Sequence, residues 1–390
     1  MAIAKPIILV LMGGFWPGGD SAGPNQSLKG FCAALADDYD IRIVARDRPF
    51  GGTVRIAPSE DWTDLGFAQV TYLEGLRFGA AGLRKLLCET PHDILMLNGF
   101  FDREFTLPTV LMRKAGMIPR KPTLLSPRGE FGGGALSLKA PVKQAWLALV
   151  RLAGLLKGIT LHATSETEAS DIHTRLPFAP RPLVAPNIRT PFERPVVDSS
   201  TRGNTLQLAF LGRITRVKNI DYAIKALAMV KAPARFDLYG PVSDEAYASA
   251  CQTLAASLPR HLEVRFMGEI ANADTPRVMA SYDLMFMPTL GENFGHAIFE
   301  ALGAGTPVLI SDRTPWRDLE ARKAGFDLPL EEPRAFAEAI DRFAALAPQD
   351  RALWRDAARA EVERSTAGAD SVALSRLMLE TVIARGTRAG

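Results

Sequence analysis

The chain has 390 residues, 47% of them hydrophobic and 23% charged, a balance that excludes a disordered, collagenous or low-complexity protein. A formal net charge of +3 is too small to argue for nucleic acid, and no RNA-binding aromatic motif or zinc-finger spacing accompanies it. No run of about 18 apolar residues occurs, so no membrane-spanning helix is expected, and Cys32, Cys88 and Cys251 stand far apart without metal or redox spacing, as in a reducing cytoplasm.

At roughly 100–200 residues per domain, this length predicts two domains and a cleft between them. The first half alternates strand-like and helix-like segments, the pattern of a parallel sheet covered by helices. Ile7–Met12 follows Lys5 as a short apolar run with glycines after it, which predicts a first buried strand and not a signal peptide. Further strands are expected at 41–45, 70–73, 93–97, 123–126, 159–163 and 183–185, with helices at 27–36, 83–89 and 142–157. Together they describe one doubly wound domain.

Three glycine-bearing loops follow strands of this domain: Gly13 to Pro24, with Gly18 and Gly19 at its centre; Asn98-Gly99-Phe100-Phe101; and Pro127-Arg128-Gly129-Glu130 with the glycines after it. In a doubly wound sheet the ligand binds at the carboxyl ends of the strands. The first loop can cradle a phosphate or sugar, because glycine lets backbone come close, or it can be a plain surface loop. It has neither the G-x-G-x-x-G spacing of a dinucleotide site nor the Lys-Ser/Thr ending of a P-loop. Arg128 suits a phosphate or a sugar hydroxyl, or else an ion pair with Glu130 or another carboxylate.

The helix expected at 142–157 is apolar around most of its circumference, which points to burial between layers. Basic residues Arg113, Lys114, Arg120 and Lys121 add charge around a neighbouring helix, and a basic face with amphipathic helices is also how a peripheral protein meets an anionic membrane. From Pro177 to Asn204 six prolines and many polar residues mark an interdomain linker.

A second α/β series starts with a strand expected in Leu206 to Arg213, followed by strands at 235–239, 264–267, 284–287 and 308–310. Helices are expected at 219–230, 244–258, 333–347 and 350–364, and a last helix at 372–384. Arg213 stands at the end of the first of these strands, and Lys218 lies just before a helix. A planar fork and a compact charge beside a helix N-terminus suit a diphosphate. After the strand at 284–287, Pro288 opens a loop that carries Glu292, Asn293, Phe294 and Gly295 into a helix whose apolar stripe is Ala297, Ile298, Ala301 and Leu302. That helix start favours anions. Glu292 and Glu300 would repel a phosphate there, so they either address neutral hydroxyls of the same ligand or are ordinary helix-start carboxylates. No histidine pair has metal-ligand spacing, and Asp38-Tyr39-Asp40 stands between a helix and a strand instead of at a strand end, so no metal is expected.

Taken together, these residues resemble a retaining glycosyltransferase of the GT-B fold, glycosyltransferase family 4 (glycosyl transferases group 1). The likeness rests on Gly291-Glu292-Asn293-Phe294-Gly295, on Glu300 through Val308, on Phe210-Leu211-Gly212-Arg213 with Lys218-Asn219, and on Pro186-Asn187 at the domain junction. It implies two Rossmann-like domains facing a central cleft: 1–190 with the returning helix of 370–390 on the acceptor side, and 205–369 on the donor side. By the same resemblance Arg213 and Lys218 bind the donor diphosphate, Glu300 the ribose and Glu292 the sugar. The backbone at Phe294 and Gly295 then meets sugar and phosphate. The partner implied is a nucleotide-diphosphate sugar, used without metal or other cofactor, with retention through front-face attack.

Two departures stand out: Ile188 follows Pro186-Asn187 in place of glycine, and Arg128-Gly129 stands where many members carry His-Gly, which leaves open how the donor sugar's distal hydroxyls are read. The Pro-Arg-Gly-Glu form resembles members from polysaccharide or O-antigen assembly. This implies a glycan acceptor, lipid-linked, at the inner face of a bacterial membrane. An epimerase or hydrolase of the same fold, and a non-catalytic sugar-nucleotide-binding subunit, remain as alternatives.

Overall fold

The computed structural model describes residues 4–15, 23–47, 61–73, 79–132, 140–189, 205–367 and 370–387. The chain divides into two compact units, Met1–Thr190 with Ala369–Gly390, and Pro191–Gly368.

In the first unit the strands are β1 (Ile7–Leu11), β2 (Asp40–Arg46), β3 (Thr63–Asp64), β4 (Gln69–Leu73), β5 (Ile94–Asn98), β6 (Thr123–Ser126), β7 (Ile159–Ala163) and β8 (Leu183–Val184). They form one sheet in the order β3-β4-β2-β1-β5-β6-β7-β8. Every pairing is parallel except that of β3 with β4. A parallel sheet covered on both faces demands continuous apolar strands, and β5 and β7 are buried at every position. The order reverses between β1 and β5, which places the loops after those strands at a topological switch point.

Its helices are α1 (Gly23–Leu35), α2 (Ala80–Glu89), α3 (Thr106–Lys114), α4 (Ala140–Leu152) and α5 (Glu166–Arg175). The C-terminal helix Ser371–Thr387 belongs to this unit, and its Met378, Leu379 and Val382 share a core with Leu28 and Cys32 of α1.

Two expectations for this unit change. The helix foreseen at 142–157 stops at Leu152, because the chain turns at Gly154 (φ 59°) and Leu155 N–H donates back to the Val150 carbonyl. Nor is the helix enclosed between layers: Val142, Leu149 and Leu152 are exposed, Leu152 by 86%.

The second unit carries β9 (Leu206–Leu211), β10 (Ala234–Tyr239), β11 (Leu262–Gly268), β12 (Leu284–Met287), β13 (Val308–Ser311) and β14 (Gly325–Leu328), in the all-parallel order β11-β10-β9-β12-β13-β14. Its helices are α6 (Ile220–Leu227), α7 (Glu245–Ala256), α8 (Thr275–Ala280), α9 (His296–Gly303), α10 (Pro333–Ala344) and α11 (Pro348–Ala367). Phe236, Phe286 and Phe336 meet in its core, with the Phe236 and Phe286 ring centroids 5.4 Å apart. Here the order reverses between β9 and β12, so the loops 212–219 and 288–295 leave neighbouring strands at the switch point.

Candidate nucleotide-sugar site

At the end of β9 the chain passes Gly212 and Arg213, makes a one-turn 3-10 helix at Arg216–Lys218, and enters α6 through Asn219 in the left-handed region (φ 59°). A Cβ on Gly240, after β10, would overlap the Gly212 carbonyl oxygen, so the backbone crossing beside the site requires glycine there.

The loop after β12 is bound to this segment by backbone groups. Leu290 N–H donates to the Val217 carbonyl at 2.8 Å, the Thr289 hydroxyl donates to the same oxygen at 3.1 Å, and Asn219 Nδ2 donates to the Pro288 carbonyl at 3.0 Å. Beneath it the Ser311 hydroxyl of β13 donates to the Thr289 carbonyl at 2.5 Å, and Glu292 N–H donates to the Arg313 carbonyl at 3.0 Å. Two loops whose facing ends, Asn219 and Pro288, are 69 positions apart in sequence thus form one body.

Lys218 and Glu292 meet in an ion pair between Nζ and Oε1, with side chains 18% and 15% exposed. The pair is sheltered enough to be poorly screened, yet open at one side. Lys218 Nζ keeps donors beyond the one used. The aliphatic stem of Lys218 lies over Gly212, its Cε 3.4 Å from where a Cβ would stand. Arg213 is exposed and makes no hydrogen bond or ion pair among the described residues.

Gly295 enters α9 at φ 77°, a conformation that favours glycine, and a Cβ there would press on Ile298 and on the Trp316 indole. Trp316 Nε1 donates to the Phe294 carbonyl at 2.8 Å, and the Phe294 ring packs beside His296, Phe299 and Trp316. Trp316 therefore holds the loop that carries Asn293, Phe294 and Gly295. Reading of the sequence missed it, because a lone tryptophan far downstream carries no local signal. Glu300, one turn into α9, is buried at 7% exposure. Of the donor-side residues expected from sequence, Lys218 and Glu292 are in contact, and Arg213, Asn293, Phe294, Gly295 and Glu300 lie on the two loops and the helix that leave the switch point.

In the first unit Arg128 adopts φ 57° and is held from two sides, Nε donating to Asn98 Oδ1 at 3.0 Å and Nη1 to Asn187 Oδ1 at 3.1 Å. Burial pulls its pKa down while Glu168 opposes the shift. The Glu168 carboxylate accepts from Gly129 N–H at 2.6 Å and from the Thr164 N–H and hydroxyl, each at 2.7 Å. Glu168 escaped the sequence reading, although Ser165-x-x-Glu168 has the spacing of a helix capping box and Ser165 does accept from Glu168 N–H. Glu130 does not pair with Arg128. It accepts from the N–H groups of Phe100 and Phe101, and burial pushes its carboxyl up to about 7. Gly18 and Gly19 lie outside the described residues.

A parallel sheet with its charged loops at a switch point, twice over in one chain, is the architecture of the GT-B glycosyltransferases, and known structures agree. Sucrose-phosphate synthase from Thermosynechococcus elongatus superposes with a TM-score of 0.75 at 16% identity, covering 97% of this chain and 98% of that one. Anabaena HepE, in complex with UDP and glucose, gives 0.67 at 18% identity over 97% and 99%.

Residues 205–345, within the second unit, match the family model described as Glycosyl transferases group 1, the family that the sequence resembles. Phosphatidyl-myo-inositol mannosyltransferase of Mycobacterium leprae is 35% identical over 88 residues, 22% of this chain and 23% of that protein. Its counterpart in Mycolicibacterium smegmatis is 31% identical over 151 residues, 38% of each. The 2-deoxystreptamine glucosyltransferase of Streptomyces kanamyceticus is 30% identical over 101 residues, 26% of each. These alignments span between about a quarter and two fifths of the curated relatives' length.

Proposed function

We propose that the protein is a retaining glycosyltransferase that moves a hexose from a nucleoside-diphosphate sugar to a hydroxyl group of a glycan acceptor. The observation that carries this reading is the coupling of Lys218 to Glu292 across the β9/β12 switch point, with exposed Arg213 on the same loop as Lys218 and buried Glu300 on the helix that follows. The cations and the α9 N-terminus stabilise the charge that grows on the departing nucleoside diphosphate, so no metal is needed for that step. Glu300 holds the ribose hydroxyls. Glu292, oriented by Lys218, accepts hydrogen bonds from the sugar, while the backbone at Phe294 and Gly295 faces sugar and phosphate.

Front-face attack by the acceptor oxygen, with its proton passing to a leaving phosphate oxygen, retains the anomeric configuration. In the first unit Arg128 keeps Nη2 for a donor hydroxyl. We assign the acceptor to lipid-linked glycans of bacterial surface polysaccharide or O-antigen assembly, at the inner face of the membrane. The names of the phosphatidyl-inositol relatives support a lipid-borne acceptor, and among the described residues no helix is long and apolar enough to cross a membrane.

The test is mass spectrometry of UDP-, GDP- and ADP-sugars incubated with the protein, with and without glycan acceptors. Acceptor-dependent transfer is expected, falling about 10²–10³-fold in Lys218→Met, the scale of losing one preorganised electrostatic contact. Donor cleavage that ignores the acceptor would make the protein a hydrolase, and conversion of the donor sugar an epimerase. No turnover with any donor would leave a binding subunit.

A further inference from the structure

Charge in this chain is unevenly placed. Between Phe105 and Ser165 the sequence holds nine lysines and arginines and one acid, Glu130, although the whole protein carries only +3. Glu130, turned inward onto the Phe100 and Phe101 N–H groups, and Arg128, clasped by Asn98 and Asn187, both lie off this surface, which leaves eight cations and no acid in the stretch. This stretch contains α3 and α4.

The same stretch carries an apolar face that the fold leaves uncovered. Along α4 the exposed positions include Val142, Ala145, Ala148, Leu149 and Leu152, spaced as one face of a helix, while Val150 points into the core. Placing Leu152 at 86% exposure and Leu149 at 44% in water forgoes apolar burial of about 25 cal/mol per Å². On α3 and the turn after it, Leu111 (43%) and Met117 (48%) are exposed as well.

Cations stand beside this face. Arg113 Nη2 donates to the Gly158 carbonyl at 2.9 Å, and Lys114 Nζ is 3.9 Å from where a Cβ of Gly154 would be, so the end of α3 lies against the turns that follow Leu152. Arg151 and Lys157 are exposed on those same segments, and Arg120 is close enough to Arg113 to lower its pKa after burial has done so. Among the described residues, an exposed apolar helix face bordered by cations that make no ion pair matches the boundary between acyl chains and anionic headgroups, and charge complementarity favours it over a second protein surface.

We propose that α4 and the end of α3 form a docking face for an anionic lipid bilayer, in which Leu149 and Leu152 enter the headgroup–acyl boundary and Lys114, Arg120, Arg151 and Lys157 contact lipid phosphates. The proposal supplies the surface for the membrane location given above, but its readout does not depend on sugar transfer. The experiment is co-sedimentation of the full chain with vesicles of phosphatidylglycerol and phosphatidylcholine, against vesicles of phosphatidylcholine alone, at low and high salt.

Binding is expected to the anionic vesicles only and to weaken with salt. Lys114→Gln and Arg151→Gln should each lower the partition coefficient about 5-fold, the effect of roughly 1 kcal/mol per cation near an anionic surface. The double variant Leu149→Asp/Leu152→Asp should abolish binding while retaining wild-type thermal stability and stabilisation by the nucleoside diphosphate. Equal binding to both vesicle types, no binding to either, or full binding by the double variant overturns the proposal. So does a concentration-dependent dimer in sedimentation velocity that the double variant dissolves, which would make the face a protein interface.

Discussion

Both units carry charged groups in the loops that follow their strands and use them in opposite ways. In the first unit Glu168 accepts three hydrogen bonds, Arg128 is clasped by Asn98 and Asn187, and Glu130 closes on two N–H groups of the β5 loop. These residues hold loops in place. In the second unit backbone and neutral groups hold the loops, through Thr289, Asn219, Ser311 and Trp316. Lys218, Glu292 and Arg213 are left with hydrogen-bonding capacity for a ligand. A charge committed to its own scaffold contributes stability, whereas a charge oriented but not saturated is available to bind.

Loss of Glu168 should separate the two uses most clearly. Glu168→Ala removes the acceptor of three hydrogen bonds, two of them buried, and the carboxylate that favours the Arg128 cation, so chemical denaturation should show a loss of about 3–5 kcal/mol. Affinity for a nucleoside diphosphate, measured where the variant is still folded, should stay at the wild-type value. A variant with wild-type stability and lost binding would reverse the roles given to the two units.

A smaller effect is expected at His162 of β7. Its Nε2 faces the Ala185 carbonyl at 2.9 Å and so carries the proton, and Nδ1 accepts from the Ser126 hydroxyl at 2.8 Å. Burial, aided by Arg128, pushes the imidazole down to about 4. Because the folded value lies below the ordinary 6.5, the unfolded chain takes up the proton first. The contribution is fully present above about pH 6.5 and is lost as the pH falls towards 4, to a total of about 3 kcal/mol. Urea denaturation across that window should therefore show a steeper acid decline for the native protein than for His162→Gln, and parallel profiles would remove the histidine from the account.

Much of the scaffold was legible because its strands are short apolar runs closed by breakers. β6, β7 and β12 match the expected ranges to the residue, and Pro288 does end β12. What escaped had weak local signals. The strand β14 is four residues long and contains Asp327, α5 is largely polar, and α8 is only six residues long. The overlong expectation for α4 came from counting Leu155 and Leu156 into the helical stripe, although they are buried beyond the Gly154 turn.

At the site, the residue types and their place after β9 and β12 could be read from spacing. Their pairing could not: the Lys218–Glu292 contact depends on two strands becoming neighbours across the switch point. The Arg128 clasp likewise joins residues from β5, from the loop after β6 and from the segment after β8.

The central claim is that the second unit's switch point holds the donor diphosphate. Calorimetric titration of UDP, GDP and ADP into the protein and into Arg213→Ala and Glu300→Ala measures it directly. One nucleotide should bind the native chain, and each variant should weaken it about 10–100-fold, as expected when a charge-assisted hydrogen bond worth roughly 1.5–3 kcal/mol is removed. Unchanged affinity in both folded variants would contradict the claim and move the donor site elsewhere.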